Sequence, residues 1–441
     1  MTTLPYALIG AGPAGLVAAR NLDRLKVSYR GFELHTDVGG LWDIDNPHST
    51  MYESAHLISS KTTTEVTEYP MNADVADYPS HREVCRYFRG FADKFDLRRH
   101  FRFSARVLRA EPLGPPGEGW RVEWEQEGER RSDEYAGVLI ANGIFSRPSI
   151  PEFATPEFAD RFDGEIVHSS DYRNADLFAD KRVLVVGAGN SACDLAVDAV
   201  HRARGVTLSV RRGYHFVPKY VFGRPADTIG GLLTLPWKLK QKVDRFLLSW
   251  FTVDPTRVGF PEPDHALYES HPIVNSLILH HLCHGDLDVR PEIARLDGKT
   301  VHFKDGQHAD YDLILLATGY HLDFPFIDRE HLNWKDVTPH LYLNCFHPER
   351  DDLFVLGMVE AAGLGWQGRY EQAELVARFL DGCAKNTAAA HRFREIKREP
   401  FDDMRGPASY MALDRMAFYV HKDTFRKTVR KHISRFARDT R

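Results

Sequence analysis

The stretch YALIGAGPAG (residues 6–15) is a short apolar run that passes at once into Gly10-x-Gly12-x-x-Gly15, and the alanine-rich stretch LVAARNLDRL follows it. An apolar run of this length before a helical pattern reads as a buried strand feeding a helix. In such a turn Gly10 permits the tight bend, Gly12 lets backbone approach a pyrophosphate, and Gly15 allows close helix-to-strand packing, with Ala14 in the same turn. The helix N-terminus then presents unpaired N–H groups and a positive dipole end to phosphates. A second strand-like run, SYRGFE (residues 28–33), ends in Glu33, an acid placed to accept from ribose hydroxyls. In VGGLWD (residues 38–43), Gly39 and Gly40 allow backbone to pass close to a flat ligand, and Leu41 and Trp42 offer a wall. The same stretch also reads as a loop with a core tryptophan.

The pattern recurs in RVLVVGAGNSACDLA (residues 182–196), where Gly187, Gly189, Asn190 and Ser191 form the turn and Ala192 stands in the third glycine place. Its following strand, VTLSVRR, ends in Arg211 and Arg212 rather than an acid. Arginine there favours a 2′-phosphate, hence NADPH over NADH, although a solvated strand end would look alike. YDLILLATGY (residues 311–320), with Thr318 and Gly319, reads as a buried parallel strand leaving its sheet and returning the chain to the first unit. GLGWQGRYEQAELVARFLDG (residues 363–382) sets Gly363, Gly365, Gln367 and Gly368 ahead of a one-faced helix. Its N-terminus fits either an electron-rich ring or an ordinary core helix.

The expected fold class is therefore α/β, with two dinucleotide-binding, Rossmann-like domains, the first being discontinuous and the second inserted in it. Residues 1–155 form the first part, 160–315 the second domain, and 316–441 the completion of the first with a helical tail. Residues 119–143 read as an antiparallel hairpin feeding a strand, and SRPSIPEF (146–153) as the crossing linker. An aromatic and proline-rich insertion at 214–275 is expected to cap a cleft, with the loop NCFHPERDD (344–352) helping to shape it. Within the cap, Leu239, Val243, Phe246, Leu247, Trp250 and Phe251 recur at helical spacing, a pattern expected to be buried in a core. The tail DTFRKTVRKHISRFARDTR (423–441) reads as a solvated basic helix or, on charge, as one that touches an anionic membrane surface.

Composition narrows the function classes. With 441 residues, 43% hydrophobic and 27% charged, the chain is that of an ordinary globular protein of several domains. A net charge of −5 argues against nucleic acid as partner. The N-terminus has no basic region before its apolar run, so a signal peptide is not expected. No apolar run approaches the roughly 18 residues that a membrane span needs. Five scattered cysteines with no C-x-x-C pair speak against a disulfide framework or zinc site and fit a reducing cytoplasm. His280, His281 and His284 lie close together but without ligand spacing, so no metal is expected.

FDGEIVHSSDY (residues 162–172) places Phe162, Gly164, His168 and Tyr172 between the two turns. With both turns in place it matches F-x-G-x-x-x-H-x-x-x-Y, and the chain resembles flavin-containing monooxygenases over nearly its whole length. That resemblance implies FAD on the first turn and NADPH on the second. NADPH would reduce FAD, oxygen would add to give a hydroperoxyflavin shielded by bound NADP⁺, and a small soft nucleophile, amine or sulfide, would take one oxygen atom. No protein nucleophile or metal is needed. His168 and Tyr172 would position cofactor at the domain seam; related Baeyer–Villiger enzymes carry tryptophan where this chain has Tyr172, which favours heteroatom oxygenation. The chain departs from the family in YESAHLISSK (residues 52–61): where relatives read T-N-T-S-K, Ile58 stands in the asparagine place if Tyr52, Ser54 and Lys61 anchor the match. His56, Ser59 and Ser60 are then the candidate catalytic donors, with Ser60 and Lys61 also at the cofactor. Ketone oxygenation of the Baeyer–Villiger type, an NADPH-consuming flavin oxidase or reductase, an amine N-hydroxylase and a sensor without turnover are the rival readings. A homodimer is ordinary for such a protein.

Overall fold

The computed structural model describes residues 4–159, 161–229, 236–401 and 404–439. Its frame is two five-stranded parallel sheets. The first runs in the order Leu353–Val355, Gly137–Ile140, Tyr6–Ile9, Tyr29–Phe32, Phe101–Arg102. The second runs Asp288–Arg290, Gly205–Ser209, Arg182–Val186, Leu313–Leu316, Glu165–His168. Apart from Arg182 at one strand end, the central strands are apolar (YALI, GVLI, RVLVV, LILL) because parallel sheets are covered on both faces and offer no solvated side. In each sheet the glycine turn follows the middle strand.

The chain leaves the first sheet after Gly137–Ile140 and comes back through residues 317–321. The two crossings lie side by side: Arg147–Pro148 pairs antiparallel with Tyr320–His321, and the Ser149 amide donates to the Gly319 carbonyl at 2.9 Å. The run at 311–320 thus contributes Leu313–Leu316 to the second sheet before it leaves. Residues 105–135 form a three-stranded antiparallel meander, Ala105–Pro112, Trp120–Gln126 and Glu129–Tyr135, whose inner side buries Trp120 and Trp124 against the first sheet.

Three expectations about surfaces and the cleft do not hold. The cap stripe is not core: Leu239, Phe246, Leu247, Trp250 and Phe251 are all exposed, Trp250 to 74%. The helix Trp237–Leu248 is tied down elsewhere: the Gln241 amide donates to the Leu267 carbonyl, Asp244 accepts from the Tyr268 hydroxyl at 2.9 Å, and Trp237 stands edge-on to His421. Periodicity defined one face of that helix without supplying a partner for it. Residues 230–235 of the cap lie outside the described residues. The tail is not a free solvated helix either. Lys422–Asp439 buries Phe425, Val429, His432 and Phe436 in the first core, and Arg426 and Arg430 pair with buried Glu371 of the helix Gly365–Ala384 at 2.6 and 2.8 Å. The loop 344–352 also lies off the cleft described below. Buried Lys397 donates to the His347, Pro348 and Arg350 carbonyls and holds it against the helix Ala388–Arg398.

Candidate functional site

Both glycine turns open onto one cleft of about 1900 Å3. In the first turn Gly10 has φ +107°, a conformation L side chains rarely adopt, and a Cβ there would meet the Ala141 carbonyl at 2.5 Å. A Cβ on Gly15 would strike the Gly10 carbonyl at 1.9 Å, so Gly15 is where helix and turn come into close contact. Gly12 caps the helix Pro13–Arg24 with no side-chain cap, which leaves its first N–H groups facing the cleft. Gly40, at φ +59°, lies on Gly12: an added Cβ would be 2.9 Å from the Gly12 Cα. Ala14, Leu41 and Trp42 line the cleft beside them, and Trp42 stands edge-on to Trp366 with ring centres 6.0 Å apart.

The second turn repeats the logic with one difference. Gly187 has φ +125°, and a Cβ there would meet the Ala317 carbonyl at 2.4 Å. At Gly189, by contrast, a Cβ would meet nothing within 4 Å, and this residue caps the helix Asn190–Val200 without a side chain. Contact between strand and helix does not require glycine at 189; a ligand lying on the turn would. Ala192 is buried, its Cβ against Gly187, and Asn190 accepts from the Val274 amide at 2.7 Å and donates to the Pro272 carbonyl, pinning the cap's returning segment. Ser191, Arg211 and Arg212 line the cleft. Arg212 pairs with Asp264 at 3.1 Å, whereas Arg211 makes no ion pair among the described residues.

Glu33 is buried, and both its oxygens accept from backbone: the Ala11 amide at 2.6 Å and the His35 amide at 2.8 Å. Burial pushes its carboxyl up from the ordinary value while those two bonds pull it back. Each carboxylate oxygen retains a second lone pair for a further donor. Thr318 and Gly319 line the cleft at the crossing. Asn142, which the sequence reading missed, also lines it; its amide donates to the Asp323 carbonyl, and its Oδ1 is buried without a partner. Its only sequence signal was its place just after a buried strand.

Other sequence candidates stand off the cleft wall. Tyr172 is fully buried; its hydroxyl donates to Asp198 at 2.9 Å, and its ring stacks on Phe178. His168 lies behind the wall, edge-on to Tyr320. Its Nδ1 accepts from the Ser170 amide at 3.1 Å, its Nε2 faces Gly319, and burial pushes its pKa below the ordinary histidine value. The fingerprint spacing builds a seam. Asp198 also accepts from Ser54, and Asp194, one turn earlier on the same helix, accepts from Tyr52 at 3.1 Å and from Asn275. Arg173 donates to the Ser49 carbonyl at 2.8 Å, and its own carbonyl accepts from the Glu53 amide. Segment 49–54 is thereby fastened to the second sheet's helix.

That seam delivers the stretch that departs from the family. His56, Ile58 and Ser59 line the cleft. His56 Nδ1 lies 2.7 Å from the Ser54 carbonyl, and Ser59 Oγ is 2.7 Å from Thr64 Oγ1. Ser60 is buried, and its hydroxyl lies among those of Thr62 and Thr63 in the short turn Lys61–Thr64. The Lys61 ammonium is spent on the Asn72, Ala73 and Val75 carbonyls. Gln367 accepts from the Thr67 amide and donates to Glu371. None of these three lines the cleft, because each has polar partners nearer than the cavity.

A family model described as flavin-binding monooxygenase-like matches residues 5–418. Human flavin-containing monooxygenase 5 is 29% identical over 379 residues, 82% of this chain and 70% of its own length. Among solved structures, S-allyl-L-cysteine S-oxygenase from Allium sativum superposes with a TM-score of 0.66 at 20% identity, over 99% of this chain and 88% of its own. NADP⁺-bound cyclohexanone monooxygenase from Rhodococcus sp. Phi1 gives 0.72 at 18% identity, over 99% and 98%. At those identities the likeness to the two solved structures is one of fold.

Proposed function

The chain belongs to the flavin-binding monooxygenase-like family and is a FAD- and NADPH-dependent monooxygenase, and on that premise we propose that its shared cleft brings the two cofactors together to oxygenate a small soft nucleophile, an amine nitrogen or a sulfide sulfur. The observation that supports this reading best is that two uncapped glycine turns, on two separate parallel sheets, face the same cavity. The residues fit such ligands: free helix N-termini at Gly12 and Gly189, open space at Gly189, and an orphaned buried oxygen on Asn142.

When bound, FAD reduced by NADPH supplies the electrons that activate dioxygen for transfer of one atom. The chain's own residues orient and enclose. Gly10, Gly12 and Gly15 with Glu33 would hold the FAD pyrophosphate and ribose, and Gly40, Leu41 and Trp42 would flank its ring. Gly187, Gly189, Asn190 and Ser191 would take the NADP pyrophosphate, with Arg211, free of any described carboxylate, on the 2′-phosphate. His168 and Tyr172 would act at one remove, fixing the seam that carries residues 49–59 to the cleft. His56 and Ser59 would be the hydrogen-bonding side chains that residues 55–59 offer to the cleft, and Ile58 would exclude water without donating.

Ile58 on the cleft wall favours one alternative, a flavin oxidase that releases peroxide. The two readings separate in one assay: FAD-loaded protein, NADPH and methyl p-tolyl sulfide, with sulfoxide, peroxide and NADPH measured together. Oxygenation predicts sulfoxide for a substantial share of NADPH; peroxide equal to NADPH with no sulfoxide would remove the proposal.

A further inference from the structure

The cap reaches across to the departing stretch through one carboxylate. Asp227, on the short cap helix Ala226–Ile229, accepts through Oδ2 from the Ser60 amide at 2.7 Å and from the Thr63 hydroxyl at 2.6 Å. It thus caps the turn that follows Ile58 and Ser59. Its other oxygen, Oδ1, is buried and has no partner, and Asp227 lines the cleft.

A buried carboxylate oxygen without a donor is costly, and several cations of the cleft and its surroundings are engaged elsewhere. Lys240 is held by Asp244, and Arg369 pairs with Glu360 at 2.7 Å. Lys219 lies over the Tyr78 ring, with Asp194 as the charge acting on it. Arg415 donates to Ser270 and lies over Tyr214. Tyr78, which feels the Asp227 charge, and Trp237, whose N–H is also unpartnered, line the same cleft. An acceptor oxygen in a cleft with aromatic walls suits an ammonium group.

We propose that Asp227 is a substrate-binding residue that takes the ammonium of an amino sulfide, so that the atom oxygenated is the sulfur and not the nitrogen. This rests on the oxygenation reading above and narrows it. An amine held on a carboxylate keeps its proton and has no lone pair to offer, whereas a thioether sulfur on the same molecule retains its own. The reaction balances as sulfide, O2, NADPH and a proton giving sulfoxide, water and NADP⁺. Two electrons come from NADPH and two from sulfur; the new S–O bond takes one oxygen atom, and the other leaves as water.

The test compares methylthioethylamine, cationic at neutral pH, with methyl propyl sulfide, its uncharged counterpart, on the FAD-loaded protein. Asp227→Asn keeps an acceptor for Ser60 but removes the charge, and is expected to raise KM for methylthioethylamine about 10- to 100-fold, the range of a hydrogen bond to a charged group, while methyl propyl sulfide changes less than twofold. The product from the amine is expected to be the sulfoxide with its nitrogen unchanged. Calorimetric binding of methoxyethylamine, which has no oxidisable sulfur, should weaken in Asp227→Asn and return in part in Asp227→Glu. Equal effects on both sulfides, no effect on either, or oxygen on nitrogen would overturn the proposal. If neither sulfide yields sulfoxide while NADPH is consumed, the oxygenation reading falls, and the calorimetry still decides the role of Asp227.

Discussion

Replacing Gly189 with alanine separates what the fold needs from what a ligand needs. At Gly189 the backbone has φ −72° and ψ 175°, open to any residue, and an added Cβ meets nothing within 4 Å. Alanine there restricts the unfolded chain at no cost to the folded one, so the ligand-free protein should gain about 0.4–1 kcal/mol. Its methyl group would stand where a pyrophosphate approaches the helix N-terminus. Loss or lengthening of one or two charge-assisted bonds corresponds to about 1.5–3 kcal/mol, or roughly 10- to 150-fold in affinity. Thermal unfolding without nucleotide and calorimetric titration of NADP⁺ into FAD-loaded protein measure the two terms. Gly187→Ala is the control. Its φ of +125° and a 2.4 Å approach to the Ala317 carbonyl strain the turn itself, so it should destabilise the ligand-free protein. Undiminished NADP⁺ affinity in Gly189→Ala would refute the claim that dinucleotide lies on this turn.

Four further outcomes follow from the structure. Arg211→Gln should weaken NADP⁺ more than Arg212→Gln, because Arg212 already pairs with Asp264; both should leave NAD⁺ binding unchanged, as competition titrations would show. Ile58→Asn should lower the peroxide released per NADPH by severalfold, whereas an unchanged peroxide fraction would mean that this position does not govern coupling. Glu371→Gln should cost about 1–3 kcal/mol, because it leaves the partners of a buried charged network unmatched, and should loosen the terminal helix. That helix should also release on acidification. His432 is pushed down to about 4 by burial and by Arg435 and Lys431, so the unfolded chain takes up a proton that the fold refuses, and stability falls as pH drops from about 6.5 towards 4. Glu371 has a carboxyl that burial raises and the bonds from Arg426 and Arg430 hold below its ordinary 4.5, so its contribution is present above that value and lost below it. Proteolysis within residues 422–439, followed against pH, reads both steps; resistance that stays flat from pH 7 to about 4 would contradict the assignment.

Much of the frame is legible in the sequence because its signals are local. A glycine at positive φ, a four-residue apolar run and a helix after it each depend on a few neighbours, and Gly10, Gly187 and the central strands are recognisable on those terms. What depends on partners far along the chain is not. The stripe Leu239–Phe251 has the periodicity of a core helix, yet most of it faces outward, since a face implies no partner. Lys61 and Gln367 have the right types for a cofactor site, but carbonyls and amides of residues 67–75 claim them first. Tyr172 belongs to a pattern whose purpose shows only when Asp198, 26 positions away, is placed beside it. Asp227 carried no motif at all; it became visible when the cap folded onto Ser60.

On the proposed function, this cleft moves one atom of dioxygen onto a soft nucleophile at the expense of NADPH. Turnover of methyl p-tolyl sulfide by the FAD-loaded protein under isotopically heavy oxygen gas tests it most directly, with mass spectrometry of the product. The account predicts sulfoxide carrying one heavy oxygen, its yield rising with NADPH consumed. Sulfoxide with oxygen drawn from water, or NADPH spent wholly on peroxide with no labelled product, would contradict it.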